Sequence, residues 1–190
     1  MRQLLNIGLD YNGIVGNSDA LRSKLAKKMF RVEIPAHNFK KEYILQNAIL
    51  TLEQYNFINE ETFNKVNTIH FVENAGRYIP LWLHYGHYLK VITSCYGLAF
   101  ENARKSLANA GFSEIPIVTT ETAISKLDQC RGLHVYVDND LRKLVPLVGT
   151  VPYLFLYSPQ KKERITTPTG IVRVSSWAEL YDKVWYDVRI

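Results

Sequence analysis

Apolar and polar positions change period along the chain. LLNIGL (residues 4–9) is a nearly unbroken apolar run, so residues 3–9 read as a buried strand that stops at Asp10. Gly13 and Gly16 follow in a loop, and Asn17 or Ser18 is placed to cap a helix over ALRSKLAKKMF. Residues 40–70 read as two more helices. The first is KKEYILQNAILTLEQY, with apolar residues at helical spacing; the second begins at the cap-like Asn59-Glu60-Glu61 and runs through FNKVNTI. No strand is expected between residues 18 and 72. A helix over 75–85 then leads through Gly86 into YLKVIT, a strand ending at Thr93-Ser94. ENARKSLANAGF is an amphipathic helix closed by Gly111, IPIV a short strand, and TETAISKLDQC a short helical or loop segment. LHVYV is a fourth strand ending at Asp138, LRKLVPLV a short helix, VPYLFLY a fifth strand, and SSWAELYDKVW a serine-capped helix.

Strands that alternate with helices imply an α/β fold whose parallel sheet is covered on both faces. The helical stretch after the first strand is then an insertion. The division expected is a core of residues 1–17 and 73–190 and a small helical cap of 18–72. In such sheets ligands bind beyond the carboxyl ends of the strands. Those ends carry Asp10, Thr93-Ser94 and Asp138-Asn139-Asp140, and Lys126 precedes the fourth strand in the loop expected to reach the same edge. Singly, each is an ordinary turn former, cap or solvated side chain. Together they supply what phosphoryl transfer uses: a carboxylate that can attack phosphorus, oxygens that suit Mg²⁺, and a hydroxyl and an ammonium to hold phosphoryl oxygens.

Composition narrows the partners. With 190 residues, 47% hydrophobic and 22% charged, the chain suits one folded domain with a small insertion. The net charge of +5 favours anionic ligands, but it is scattered. Only Lys27-Lys28, Lys40-Lys41 and Lys161-Lys162 pair up, which reads as a solvated basic surface before a nucleic-acid groove. Cys95 and Cys130 make neither a disulfide framework nor a metal set, and His37, His70, His84 and His87 show no metal-ligand spacing. No leader, apolar run of spanning length or internal repeat stands out, so a soluble cytoplasmic protein without membrane contact is expected. Tyr43, Tyr55, Phe57, Phe63 and Phe71 read as the insertion's own small core before they read as a platform for a base.

The strand-end residues resemble the motifs of the haloacid dehalogenase superfamily, most of whose members are Mg²⁺-dependent phosphatases. LDYNGIV resembles the first motif, an apolar strand followed by Asp-x-Asp-Gly, with Asp10 as nucleophile. VITS resembles the second, with Ser94 as the hydroxyl; Thr93 is expected to point the other way because strand side chains alternate. Lys126 matches the third motif and VYVDND the fourth. The resemblance implies a Rossmann-like parallel sheet with a small helical cap after the first strand. It also implies Mg²⁺ on Asp10, Asn12, Asp138, Asn139 and Asp140, and a phosphate held by Gly13, Ser94, Cys95 and Lys126. The short spacing of Lys126 before the fourth motif and the ending RVSSWAEL are similar to the 5'(3')-deoxyribonucleotidase group. That implies a small phosphorylated substrate, a nucleotide before a nucleic-acid end.

Two positions depart from the pattern. Where the motif has a second aspartate, the general acid and base, this chain has Asn12. An amide cannot carry a proton to an alkoxide, and losing that role costs on the order of 10²–10⁴ in rate. In the fourth motif the expected acid pair is Asp138-Asn139, with Asp140 one place further on. Three accounts of Asn12 stay open: a weakened or specialised phosphatase, a member that binds a phosphorylated ligand without turnover, or an asparagine introduced to slow turnover.

Overall fold

The computed structural model describes residues 3–64, 71–120, 123–159 and 166–189. Among these, six strands form one parallel sheet: β1 Asn6–Leu9, β2 Tyr88–Thr93, β3 Ile117–Thr119, β4 Val135–Asp138, β5 Tyr153–Tyr157 and β6 Ile171–Val174. The order across the sheet is β3-β2-β1-β4-β5-β6. The chain moves outward from β1 through β2 to β3, then crosses back to lay β4, β5 and β6 on the other side. The order therefore reverses between β1 and β4, and a crevice opens beyond the carboxyl ends of strands at such a reversal. Asp10 follows β1 and Asp138 ends β4, so the topology alone puts two carboxylates at that crevice. Register agrees: Leu9 pairs with both Val91 and Val137, and Asp10 N–H donates to the Val137 carbonyl at 2.9 Å.

Alternation along each strand builds two cores. Ile7, Leu9, Val135, Val137 and Phe155 face a layer that includes helices α4 (Ala75–His84), α5 (Gly97–Asn109) and α8 (Trp177–Tyr186). Ile92, Tyr136, Leu154 and Leu156 face α6 (Ala123–Cys130), α7 (Leu141–Leu144) and the 3₁₀ turn at Val145–Leu147. Gly8 lies under this second layer. A Cβ there would stand 2.5 Å from Leu133 Cδ1 and 2.7 Å from Tyr136 Cδ2, so only glycine lets these side chains close over β1.

The C-terminal ending has a structural task. Ser176 caps α8 by accepting from Glu179 N–H at 3.1 Å, while the Glu179 carboxylate accepts from Ser175 N–H at 2.8 Å. The cap bond is worth about 1 kcal/mol. It holds Trp177 in the core, where its indole N–H donates to the Ile14 carbonyl at 3.0 Å. The loop after β1 is thereby fastened to the last helix.

The insertion packs differently from the sequence reading. Helix α1 (Ser18–Phe30) starts as expected, with Asn17 capping Ala20 N–H at 3.1 Å. The stretch read as one helix over 40–55 is broken: α2 covers Lys41–Gln46 and α3 runs Leu52–Asn64. Between them Ala48 takes a left-handed φ of 49°. Thr51 and Gln54 then exchange backbone-to-side-chain bonds at 3.2 and 2.9 Å, a start signal that falls eight residues before Asn59. Leu25, Ile34, Phe39, Ile44, Tyr55 and Ile58 form the insertion's own core. Tyr43 and Phe57 are instead exposed, and Phe71 stacks on Phe112 against the sheet layer. The Phe63 side chain, residues 65–70 with His70, and Lys161-Lys162 lie outside the described residues. The strand Ile171–Val174 was not foreseen. No described helix is long and apolar enough to cross a membrane.

Candidate functional site

The turn after β1 is held by its own backbone. Gly13 N–H donates to the Gly16 carbonyl at 2.8 Å, and the Val15 and Gly16 N–H groups donate to the Tyr11 carbonyl at 3.0 and 2.9 Å. Gly13 sits at φ 83°, and a Cβ there would collide with the Asn139 amide, so glycine is required on both counts. The turn presents Asp10 at the crevice with 2% of its surface exposed.

Lys126 lies on α6, not on a loop, and is buried. Its ammonium donates to Asp138 Oδ2 at 2.7 Å and stands 3.4 Å from Asp10 Oδ1, with the Tyr136 ring centroid 5.0 Å away. Asp138 is satisfied on both oxygens. Tyr136 O–H reaches Oδ2 at 3.2 Å, and Asp140 N–H reaches Oδ1 at 2.9 Å. Sequence reasoning missed Lys143, whose ammonium stands 3.7 Å from the same Asp10 Oδ1. Its one available signal was a lysine within a turn of the polar end of β4.

Burial, reinforced by the neighbouring Asp138 charge, pushes the Asp10 carboxyl up to about 6, although Lys143 and Lys126 pull the other way. Burial works against the Lys143 charge, but Asp10, Asp138 and Asp140 outweigh it and hold the ammonium above its ordinary range. Tyr136 is kept firmly protonated, first by burial and then by Asp138 beside it.

The other expected residues take varied places. Asn12 is locked: its Nδ2 donates to Cys95 Sγ at 3.1 Å, and its Oδ1 accepts from Ser18 O–H at 2.7 Å. Ser94 is exposed, and among the described contacts none joins it to Asp10 or Lys126. At that strand end the buried hydroxyl belongs to Thr93, and it accepts from Cys95 N–H at 3.1 Å. Asp140 turns away to cap α7; its Oδ1 accepts from Arg142 N–H at 3.0 Å and its Oδ2 from the guanidinium at 2.7 Å. Arg142 holds its carboxyl below the ordinary range despite partial burial. Gly13 and Asn139 also line a cavity of about 600 Å³, bounded by His37, Lys40 and Tyr43 of the insertion and by Tyr157 at the end of β5.

This arrangement fits magnesium poorly. Mg²⁺ requires a near-octahedral shell of oxygens at close range. Asp138 already accepts from Lys126, Tyr136 and the Asp140 amide, Asp140 is paired with Arg142, and two ammoniums face Asp10 Oδ1.

No family model matches the chain, and no curated protein matches it by sequence. Solved structures do. One is a haloacid dehalogenase family hydrolase from Deinococcus radiodurans with bound phosphate and sodium. It has a TM-score of 0.68 at 11% identity, covering 97% of this chain and 96% of that one. The L-2-haloacid dehalogenase of Xanthobacter autotrophicus, with chloropropionic acid covalently bound, superposes at 0.65 and 9% identity over 97% and 99% of the two chains. The putative hydrolase YfnB of Bacillus subtilis, bound to magnesium, gives 0.61 at 10% identity over 95% and 98%. Likeness of this extent at such low identity is a likeness of fold, and the fold of this chain is that of the haloacid dehalogenase-like hydrolases.

Proposed function

We propose that the chain is a hydrolase of the haloacid dehalogenase type that acts through a covalent ester on Asp10, with a phosphomonoester as substrate. The observation that carries this is the placement of Asp10: a buried carboxylate at the sheet's reversal point, faced by the Lys126 and Lys143 ammoniums. A carboxylate oxygen of Asp10 attacks phosphorus, the bond from phosphorus to the leaving oxygen breaks, and an aspartyl phosphate forms. Water then cleaves that acyl phosphate and restores the carboxylate. The two ammoniums compensate charge on the phosphoryl oxygens as it redistributes.

The leaving oxygen must depart without a proton from Asn12, whose amide has none to give and whose two polar atoms are already engaged. The site therefore suits substrates with good leaving groups, such as aryl or acyl phosphates, over alkyl ones. Beside the site, the 600 Å³ cavity reached through Gly13 and Asn139 is of the size that holds a small organic ligand, and Tyr43 and His37 on its wall suit an aromatic leaving group; a nucleoside monophosphate, an alkyl phosphate, is then a slower substrate. The relative crystallised with magnesium speaks for a metal, and the engaged carboxylates here speak against one.

The test is turnover of p-nitrophenyl phosphate, acetyl phosphate, nucleoside monophosphates and glycerol phosphate, with acid-quench detection of phosphorylated protein. Aryl and acyl phosphates should turn over fastest, and Asp10→Asn should abolish both turnover and labelling. Turnover unchanged by Asp10→Asn would refute the mechanism. Absence of turnover in every variant, Asn12→Asp included, would replace it with binding of a phosphorylated ligand.

A further inference from the structure

We infer that Lys143 is the resident cation of this site, its ammonium taking the place beside Asp10 that a divalent metal would need. The inference rests on the reading of Asp10 as the reactive carboxylate. Three features carry it.

The first is position. α7 begins three residues after the end of β4 and is capped by Asp140, which anchors Lys143 close to the crevice. From there the ammonium reaches to within 3.7 Å of Asp10 Oδ1, and the side chain keeps only 31% of its surface exposed. A lysine free to choose solvent leaves its ammonium in water. This one is turned inward.

The second is charge. The groups facing Lys143 are Asp10, Asp138 and Asp140, with Asp19 of α1 also within its field. Asp140 is matched by Arg142, and Asp19 by Arg22 at 2.8 Å. What remains is two carboxylates, Asp10 and Asp138, and two ammoniums, Lys126 and Lys143. They balance. Before substrate arrives, no surplus negative charge draws a dication in. The third feature is competition: Asp138 already accepts from Lys126, Tyr136 and the Asp140 amide, so a metal would share its oxygens with three donors.

Lys143 thus serves as a counter-ion that keeps Asp10 in its anionic form and presents donors to the group being transferred. A permanent ammonium does this without exchanging with solution, so the site is independent of divalent metal.

The experiment uses the full chain freed of metal with a chelator and titrated with Mn²⁺, the free ion being counted by electron paramagnetic resonance. Wild type should leave the free signal unchanged to millimolar Mn²⁺, and turnover in the presence of chelator should stay within twofold of that with Mg²⁺. Lys143→Asp and the milder Lys143→Ser should each gain one Mn²⁺ site, at least tenfold tighter than wild type, and that gain should vanish when Asp10→Asn is added. Lys143→Arg, which keeps the charge, should remain closed to metal. Two results would overturn the inference: one Mn²⁺ bound per wild-type chain at micromolar concentration, or no gain in either folded Lys143 variant. Because Mn²⁺ is counted directly, this outcome stands apart from whether any phosphomonoester is hydrolysed.

Discussion

Replacing Lys126 by methionine isolates the interaction on which the site is built. Methionine keeps the unbranched stem and removes the ammonium, which lies 2.7 Å from Asp138 and 3.4 Å from Asp10. Lys126 is 6% exposed, Asp10 2% and Asp138 not at all, so solvent cannot replace the lost charge. At an effective dielectric constant of about 20, each contact contributes roughly 5–6 kcal/mol of gross attraction. Desolvating three ions costs several kcal/mol apiece, so the intact cluster is close to break-even. The asymmetry appears when one partner goes: two buried carboxylates stay close together with half of their counter-charge removed. The expected loss is about 3–5 kcal/mol, a large part of the stability of a domain this size. Urea unfolding at pH 7.5 should show it as a lower midpoint at unchanged slope. Two further readings fix the cause. Asp138→Asn in the Lys126→Met background should cost much less than it does alone. Lowering the pH to 5 should also shrink the Lys126→Met defect, because Asp10 then takes up a proton. A loss under about 1 kcal/mol, additive with Asp138→Asn and indifferent to pH, would refute the picture of a buried, mutually dependent cluster.

Other perturbations follow from the same geometry. The carboxyl of Asp10 is raised from 3.8 to about 6, so its ionised form, the nucleophile, fills in through that pH, and kcat/KM should show an acid limb with its midpoint near 6; a flat profile from pH 5 to 7.5 would count against Asp10. Between pH 4 and 6 the folded state binds more protons at Asp10 than the unfolded chain, so this residue makes stability fall as pH rises, by about 3 kcal/mol at most; chemical denaturation of wild type and Asp10→Asn across that window measures the difference. Asn12→Asp restores a group that can carry a proton and should raise turnover of alkyl phosphates by about 10²–10⁴ while aryl phosphates change little; equal effects on both would show that proton delivery is not what Asn12 lacks. Gly8→Ala forces a methyl against Leu133 and Tyr136 and should cost about 1–3 kcal/mol in thermal or urea unfolding, since the neighbours are side chains packed at native density.

Much of this molecule was legible from its hydrophobic pattern. The alternation of strands and helices led to the parallel sheet, and the parallel sheet said where to look, which is how Asp10, Lys126 and Asp138 were singled out before any contact was known. What escaped has physical reasons. IVRV carries a charged residue at Arg173 in an edge strand, so it lacks the continuous apolar run of a central strand. The break between α2 and α3 depends on Ala48 taking a left-handed turn and on the Thr51 cap, both local events inside a sequence that is helical in period throughout. Ser94 was chosen as the hydroxyl that ends VITS, with Thr93 set aside on alternation; the strand ends at Thr93, and alternation does not extend into the loop beyond it. Lys143 had no motif to announce it; only the three-dimensional return of α7 toward the crevice brings it to Asp10.

Asn12 and Lys143 are best understood together. In a site organised around a dication, a carboxylate at position 12 would stand next to strong positive charge and be held ready to trade protons. Here the nearby charges are single ammoniums, each already matched by a carboxylate. A further acid at this half-buried position would leave the site one negative charge in excess. The amide avoids that excess, and it bonds Cys95 and Ser18 without any change in charge. With Lys143 as the site's cation, the two residues make one adjustment: a lysine where a metal would stand and a neutral side chain in place of an acid keep the site's charge at zero. Changing either alone unbalances it, which is why the gain expected from Asn12→Asp should be larger when Lys143 is retained than when it is removed.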